Sequence, residues 1–552
     1  MVEVFTSRSG VPSIRIAGVA IHSPYDPVRE ARRFVDTALG TGRPSTVVIL
    51  GEGLGYLSGC IATLHPGARV LRVCYSRELF DQAAIFSAES WAPDFRTLDV
   101  WHPGLNAGLD EFLLDRIGEL DVEGLRVLEW PPSAKLFPQQ SRAANEAVQR
   151  VLRELSGSIV TTMAVGKLWL RNCVSNFLFL DGCLQGAPCS VERAVVIAAS
   201  GPSLEESAPV LREMRDAIDL WALPSSLLFL QQARLEPDLI VMTDPGFYAV
   251  NHLHHAVPTC PVVMPLSAAR GLWRLPAGGT NAGAPLPFLI AQPGLLEGEL
   301  LKALEHPAPW IAPHGTVAAT AMDLARAATR GPIIFAGLDL CTNDVISHAR
   351  PNEFETFFQV QISRTSPFDS LLYQWSADRN AARIPGGRNA RAPLSLQTYA
   401  SWLGASRSGE PARVFRLFPS VVDLPGMTSL DAEALGKLAR TLPSSSPGPR
   451  LSPNPRFPVR ARRVEVVRDI LFRWKTMLTV GIEKARGAHG YRVLAEPPLL
   501  GLVGQISAQG VLETRRKARL GDEKGAREAA VAVLEESTRF LQALEEKALN
   551  AG

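Results

Sequence analysis

A glycine turn near the middle of this 552-residue sequence is its first candidate for chemistry. Gly201, Pro202 and Ser203 follow the apolar run 194–199 and precede a segment with the apolar spacing of a helix. A strand that enters such a turn leaves the first N–H groups of the next helix unpaired, and those groups suit phosphate oxygens. Pro202 can preset the first helical turn, and Ser203 can cap the helix or bind a phosphate oxygen. The turn predicts a nucleotide phosphate site, with ordinary chain reversal and helix capping as the alternative.

Polar residues also follow two later strand-like runs and precede one helix-like segment. Thr243 and Asp244 end the run 239–242, Asp339 follows the run 333–336, and Gly315 and Thr316 begin a small-residue helix that continues to residue 330. Ligands of open α/β sheets bind at the carboxyl ends of the strands. We therefore expect these residues to line one crevice.

Asp244 and His348 are the residues that could act on a substrate there. The Asp244 carboxylate could bind ribose or sugar hydroxyls, or a metal ion if the reaction were pyrophosphoryl transfer, although Asp-Pro also starts many turns. His348 follows the strand that ends before Asp339, and an imidazole with a pKa near 6.5 can accept a proton at neutral pH. The alternative for His348 is an exposed loop histidine.

The elements that would hold these residues predict an α/β fold with three parts. A Rossmann-like N-terminal domain is followed by a central α/β domain and by a C-terminal α-helical domain. The predicted boundaries are 1–133 for the first domain, 134–184 for a helical connector, 185–441 for the central domain, 442–459 for a Pro- and Ser-rich linker and 460–552 for the helices.

The N-terminal domain has a glycine turn of its own. Gly51, Gly53 and Gly55 follow the strand-like run 46–50, but Tyr75 stands where a dinucleotide fold needs an acidic residue for the ribose. We therefore expect this domain to bind neither S-adenosylmethionine nor a nicotinamide cofactor, and to have a structural or acceptor-binding role.

Composition excludes several other classes of protein. A net charge of +2 gives no basic excess for nucleic-acid binding, and seven cysteines without Cys-x-x-Cys spacing predict neither a zinc site nor a disulfide framework. No apolar run approaches the roughly 20 residues of a membrane helix and the start has no signal peptide, so we expect a cytoplasmic protein without a membrane span. Basic clusters at 460–463 and 515–519 predict solvated helix faces, with an acidic partner or a lipid surface as the alternative.

The order of these motifs resembles the motility-associated-factor (Maf) glycosyltransferases, which modify flagellin with nonulosonic, sialic-acid-like sugars. The central domain is also similar to the archaeal hydroxymethylpterin pyrophosphokinases (MptE-like) and, more distantly, to bacterial sialyltransferases that use CMP-activated sugars. The resemblance covers most of the chain and rests on residues 21–27, 51–56, 167–169, Asn172, Asn176, 201–204, 243–245, 315–318 and 337–340. His314 and Leu338 depart from the family pattern.

This resemblance implies transfer of a nonulosonic sugar from a CMP-activated donor to serine or threonine hydroxyls of flagellin, in support of flagellar assembly and motility. It implies no firm cofactor besides the nucleotide-sugar, no metal, and flagellin as the protein partner. His348 and Asp244 would be catalytic. The residues implied to bind the nucleotide donor are Gly201, Pro202, Ser203, Thr243, Gly315, Thr316 and Asp339. A hydroxymethylpterin pyrophosphokinase and a non-catalytic scaffold for flagellin or a chaperone remain the alternatives.

Overall fold

The structure is a computed structural model. It describes residues 2–549 except 87–98, 257, 275–285, 293, 305–307, 377–381, 385–389, 394–395, 398, 401–402, 404–412, 418–419, 421, 423, 425–426 and 441–448. The chain divides into two compact units. The first unit contains Met1–Ala164 and Met477–Arg539, and the second contains Val165–Thr476 and Phe540–Gly552.

Strands and helices alternate along most of the chain. The strands are β1 (Val2–Thr6), β2 (Pro12–Ile16), β3 (Val19–Ala20), β4 (Thr46–Leu50), β5 (Arg69–Val73), β6 (Val100–Trp101), β7 (Leu125–Glu129), β8 (Leu184–Ala187), β9 (Ala194–Ala198), β10 (Ile218–Ala222), β11 (Leu239–Val241), β12 (Val262–Met264), β13 (Pro287–Leu289), β14 (Ile333–Ala336), β15 (Ala382–Arg383), β16 (Arg391–Ala392), β17 (Val414–Leu417), β18 (Thr428–Leu430) and β19 (Arg450–Pro453). The helices are α1 (Pro27–Leu39), α2 (Tyr56–Leu64), α3 (Arg77–Phe86), α4 (Leu109–Leu114), α5 (Pro131–Leu136), α6 (Pro138–Phe179), α7 (Ser203–Glu213), α8 (Leu227–Gln232), α9 (Phe247–His255), α10 (Leu295–Ala303), α11 (Val317–Ala328), α12 (Glu353–Gln359), α13 (Phe368–Ser376), α14 (Ala432–Arg440), α15 (Arg460–Arg486), α16 (Pro497–Arg519) and α17 (Glu523–Leu549).

The first unit contains a parallel sheet in the order β6-β5-β4-β7. Successive residues of β4 point to opposite faces of the sheet. Val47 and Ile49 pack in the core that includes α1 and α2, whereas Val48 and Leu50 pack in the core that includes α4 and the start of α6. Burial on both faces explains the uninterrupted apolar run 46–50. The Rossmann-like N-terminal domain is thereby confirmed.

The second unit is organised around a ten-stranded sheet in the order β18-β17-β14-β9-β10-β11-β12-β13-β8-β19. All pairs are parallel except β19 with β8. From β9 the chain winds outward through β10 to β13, and β14 then returns to the other side of β9. The strands β9 and β14 are buried at every position. They match the apolar runs 194–199 and 333–336, and the predicted central α/β domain is confirmed.

The C-terminal helices are also present, as α15, α16 and α17. The domain boundaries stay a prediction, since α6, α15 and α17 each contribute residues to both compact units. Within the predicted linker, residues 441–448 lie outside the described residues, but Arg450–Pro453 form an edge strand against β8. Among the described residues, no helix is both long and apolar enough to cross a bilayer.

Two arginines of the basic clusters differ from the prediction of solvated helix faces, whereas Arg460, Arg462 and Arg516 are exposed as predicted. Arg463 is 5% exposed and donates hydrogen bonds to the carbonyl oxygens of Phe177 and Leu180 at 2.6 and 2.7 Å. Arg515 donates to the Leu120 carbonyl and to Asp121, both at 2.8 Å. These two guanidinium groups stabilise the fold, because each donates hydrogen bonds to acceptor oxygens of its own compact unit.

Candidate functional site

The end of β9 is the topological switch point of the large sheet. The chain leaves β9 toward β10 on one side, whereas β14 lies on the other, so the connections after these two strands diverge. This arrangement forms the ligand crevice of open α/β sheets. The turn 201–203 follows β9, and the turn 337–339 follows β14. The structure therefore brings together two of the motifs that the sequence predicted at one site.

These two turns bind each other. The N–H of Ser203 donates to Asp339 Oδ2 at 2.8 Å, and the N–H of Gly201 donates to the Gly337 carbonyl at 2.8 Å. A Cβ on Gly201 would lie 2.4 Å from Asp339 Oδ2, so close packing of the turns requires glycine there. Pro202 precedes α7 with helical angles, φ −55° and ψ −30°.

This pairing changes the interpretation of Gly201 and Ser203. The N–H groups expected to bind a phosphate are already bonded within the protein, and the Asp339 carboxylate occupies the positive end of α7. A phosphate at this position would have to displace a carboxylate. The geometry therefore argues against direct phosphate contact and makes Asp339 the anchor of the strand-end turn.

Asp339 retains unused hydrogen-bonding capacity. It is 7% exposed, and its Oδ1 and the Oγ of Ser203 are buried with no hydrogen-bond partner among the described residues. Burial raises the pKa of Asp339, while the hydrogen bond from the backbone N–H of Ser203 and the charge of Arg416 partly oppose the shift.

His348 lies in the loop after β14, and backbone hydrogen bonds tie this loop to the β9 end. The N–H of Ala349 donates to the Ser200 carbonyl at 2.8 Å, and the N–H of Arg350 donates to Glu205 of α7 at 2.8 Å. The Nδ1 atom of His348 lies 2.8 Å from Ser347 Oγ. In the tautomer whose Nδ1–H donates to that hydroxyl, Nε2 carries the lone pair and can accept a proton. Burial, followed by the charge of His252, lowers the pKa of His348 to about 4. The imidazole is therefore neutral at pH 7.

His252 on α9 belongs to the same site, although sequence reasoning missed it. Its ring centroid lies 5.3 Å from that of Phe354, and His348 contacts the same ring at 5.0 Å. Burial lowers the pKa of His252 to about 4, and the negative charge of Asp244 acts in the opposite direction. The run 252–255 contains three histidines, and nothing in the sequence shows which of them faces inward. The position of His252, eight residues after Asp244, was therefore not a sufficient signal.

Asp244 is exposed at the end of β11, directly after the half-buried Thr243. Its Oδ1 accepts the N–H of Gly246 at 2.6 Å, which forms the turn that Asp-Pro sequences favour. Its charge also reaches His252 and Tyr399, and the pKa of Tyr399 is raised by burial and then by Asp244. Asp244 therefore starts a turn and also contributes charge to the crevice. Tyr399 is a second site residue that the sequence did not indicate.

Gly315 and Thr316 precede α11, whose N-terminus remains without a side-chain cap. Thr316 is the N-cap residue in extended conformation and makes no side-chain capping hydrogen bond. His314 does not face this helix end as a free cation, because its Nε2 lies 2.6 Å from Asp323 Oδ2 within α11. The first N–H groups of α11 are therefore better placed for an anion than those of α7.

Exposed aromatic side chains border the site. The ring of Phe354 lies 5.8 Å from that of Tyr248 and 5.5 Å from that of Trp375. Tyr248 is 45% exposed and Trp375 is 50% exposed, and the neighbouring Phe247 is 72% exposed. Contiguous exposed aromatic surface of this kind is typical of binding surfaces. Among the described residues, no three His, Cys, Asp or Glu side chains are grouped to hold a metal ion.

The glycine turn of the first unit is also filled by the protein's own side chains. Glu52 is fully buried, and its Oε1 accepts the N–H of Ser58 in the first turn of α2 at 2.7 Å. A Cβ on Gly53 would lie 2.2 Å from His22 Nε2, and one on Gly51 would lie 2.7 Å from the Tyr75 ring. Side chains of the protein itself therefore pack against both of these glycines.

We therefore expect isothermal titration of the full chain with S-adenosylmethionine, NAD⁺ or NADP⁺ to show no binding at micromolar concentrations. Tyr75 donates to Glu129 at 2.8 Å, so it is held in place by a carboxylate and does not open a ribose site. A micromolar affinity that is lost in Gly53→Ala and retained in Gly315→Ala would contradict this assignment, since only the first substitution changes the N-terminal turn.

Comparisons with known proteins agree with this architecture. Residues 175–345 match the family model described as 6-hydroxymethylpterin diphosphokinase MptE-like. The fold is similar to the solved structure of a Maf glycosyltransferase from Magnetospirillum magneticum AMB-1, with a TM-score of 0.59 and 13% identity, covering 100% of this chain and 94% of that one. The predicted resemblance to Maf proteins with an MptE-like central domain is thus confirmed for the fold and the central segment.

Three uncharacterized proteins of Treponema pallidum (strain Nichols) are similar in sequence. They are 27% identical over 324 residues, 23% over 125 and 29% over 201, which corresponds to 56%, 22% and 31% of this chain. The matches cover 65%, 60% and 50% of the relatives, so the chain spans between half and two thirds of their length.

Proposed function

We propose that this chain is a cytoplasmic glycosyltransferase that moves a nonulosonic sugar from a CMP-activated donor to a serine or threonine hydroxyl of flagellin. The observation that carries the proposal is the hydrogen bond from Ala349 to Ser200, which ties the loop that carries His348 to the end of β9. The full-length fold similarity to a Maf glycosyltransferase supports the reaction class.

In this proposal His348 is the general base. Its Nε2 accepts the proton of the acceptor hydroxyl while the acceptor oxygen forms a bond to the anomeric carbon of the sugar. The bond between that carbon and the phosphate oxygen breaks, and CMP leaves with the electron pair. Asp244 accepts hydrogen bonds from donor hydroxyls that strengthen in the transition state, and His252 provides a second imidazole beside it.

The donor phosphate is assigned to the N-terminus of α11, next to Gly315 and Thr316. Negative charge grows on this phosphate as the sugar leaves, and the N–H groups and dipole of an uncapped helix end stabilise it. Thr243 lies after β11 and Asp339 lies after β14, where Asp339 anchors the turn. The acceptor polypeptide lies over the exposed rings of Tyr248 and Trp375.

A thermal-shift comparison tests the proposal against its alternatives. CMP should raise the melting temperature, whereas ATP and 6-hydroxymethylpterin should not. The MptE-like match over residues 175–345 keeps a pterin pyrophosphokinase as the second candidate, and stabilisation by ATP with the pterin would favour it. Stabilisation by none of the three would favour a non-catalytic scaffold.

A pair of substitutions at Thr316 separates helix capping from donor binding. Thr316→Asp adds a good N-cap carboxylate, so it should stabilise the protein by up to about 1 kcal/mol and yet abolish CMP binding through charge repulsion at α11. Thr316→Ser should leave both the unfolding free energy and the CMP affinity unchanged. Urea unfolding and titration with CMP measure them, and undiminished CMP affinity in Thr316→Asp would move the phosphate site away from α11.

A further inference from the structure

Two buried asparagines on α6 hold the loops that follow β11 and β12. Asn172 and Asn176 lie one helical turn apart, and both are 0% exposed. The Nδ2 of Asn172 donates to the carbonyls of Pro245 and Ser267 at 3.0 and 3.2 Å. The Nδ2 of Asn176 donates to two other carbonyls, those of Leu266 and Ala268, at 2.8 and 2.9 Å.

The two side chains differ in what they connect. Both carbonyls that Asn176 binds belong to the loop after β12. Asn172 instead joins the loop after β12 to Pro245, the residue that follows Asp244. The N–H of Ala269 also donates to the Asp244 carbonyl at 2.9 Å. The carbonyl groups of two successive residues, Asp244 and Pro245, thus each accept a hydrogen bond.

We propose that Asn172 is a positioning residue for Asp244, which it keeps at the crevice by joining the loop after β11 to the loop after β12. The importance of Asp244 for transfer rests on the proposed function, whereas the positioning itself does not. An apolar side chain could fill the same space, but it would leave the carbonyls of Pro245 and Ser267 without this donor. A primary amide supplies the two N–H groups that two neighbouring carbonyls require.

The chain offers a matched control for this proposal. Asn172→Ala and Asn176→Ala each remove a fully buried amide with two hydrogen bonds to backbone carbonyls, from the same helix. A role confined to stability predicts the same behaviour for both variants. Positioning predicts that only the Asn172 variant changes the segment that carries Asp244.

Hydrogen exchange reports on that segment directly. The N–H of Gly246 donates to Asp244 Oδ1 at 2.6 Å, so its protection measures whether the turn is formed. In the full-length chain under native conditions, we expect exchange across residues 243–248 to be at least about tenfold faster in Asn172→Ala than in Asn176→Ala. In Asn176→Ala the faster exchange should be confined to residues 265–269. Urea unfolding of both variants checks that their global stabilities fall by similar amounts.

Turnover gives the second measurement. With a CMP-nonulosonic donor and flagellin, Asn172→Ala should lower kcat about 10- to 100-fold with little change in KM, because a misplaced group reduces rate more than binding. Asn176→Ala should stay within about threefold of the parent. If Asn172→Ala does not fold, Asn172→Ser, which keeps one hydroxyl donor, should give the same pattern at smaller amplitude.

The outcomes separate this inference from the proposed function. Faster exchange at 243–248 in the Asn172 variant alone supports positioning even if the parent chain transfers no sugar, in which case the proposed function fails by itself. Equal exchange at 243–248 in the two variants would overturn the positioning role and leave both asparagines as supports of the core. An equal fall of kcat in the two variants would overturn it as well.

Discussion

Replacing His348 with alanine is expected to lower the rate of sugar transfer by about 10²- to 10⁴-fold, the usual cost of removing a positioned general base. The affinity for CMP should remain within about threefold, since the phosphate is assigned to α11 and not to the loop after β14. The structure gives the reason for choosing this histidine. Its Nδ1 is directed by Ser347, and its loop is tied to the end of β9.

The pH profile of the parent supplies a second check on the same assignment. Burial lowers the pKa of His348 to about 4, and a general base works only when deprotonated. The transfer rate should therefore be nearly constant from pH 6 to 8 and fall below about pH 5. Without burial, the decline would begin near pH 6.5.

His254→Ala is the matched control for His348→Ala. His254 is an exposed histidine on α9, the helix that also carries His252, so its loss should leave transfer unchanged. Single-turnover assays with flagellin and a CMP-nonulosonic donor, together with CMP titration, measure both variants. Transfer by His348→Ala at the parental rate would make His348 a loop histidine and place the base elsewhere, with His252 as the next candidate.

The parts of the site that the sequence predicted are those with a local signal. The runs 194–199 and 333–336 became β9 and β14 because a strand buried on both faces is apolar at every position. The polar residues after these strands then fell at one edge of the sheet, as parallel topology requires. The strand order β14-β9-β10 has no local signal, so the meeting of the two turns became visible only in the fold.

The parts that were missed depend on contacts between residues distant in sequence. Ser203 and Asp339 are 136 positions apart, and their hydrogen bond reverses the expected role of the helix end. Glu52 fills the equivalent position in the first unit by binding Ser58. A glycine turn between a strand and a helix predicts a place for negative charge in both units. It does not reveal whether a ligand or the protein's own carboxylate supplies that charge.

A buried carboxyl group that contacts the loop after β12 gives a second large expected effect. Glu297 on α10 is 2% exposed, and its Oε1 accepts the N–H of Leu266 at 2.7 Å in the loop after β12. Burial raises its pKa from 4.5 to about 8, although hydrogen bonds from Ser267 and Leu266 act in the opposite direction. Between pH 4.5 and 8 the folded protein therefore holds a proton that the unfolded chain releases. The contribution of this group to stability is full below pH 4.5 and is lost as the pH rises toward 8.

Glu297→Gln should remove this pH-dependent fall in stability, because an uncharged amide keeps an oxygen that accepts the Leu266 N–H and does not titrate. The variant should match the parent near pH 4.5 and exceed its unfolding free energy by an amount on the order of 4 kcal/mol at pH 8. Urea unfolding at pH 5, 6.5 and 8 measures the difference, with Glu206→Gln as the control at an exposed carboxylate of α7. If parent and Glu297→Gln change in parallel across this range, Glu297 is ionised in the folded protein. The loop that Asn172 and Asn176 bind would then be held by a buried charge, and its hydrogen bond to Leu266 would be charge-assisted and correspondingly stronger.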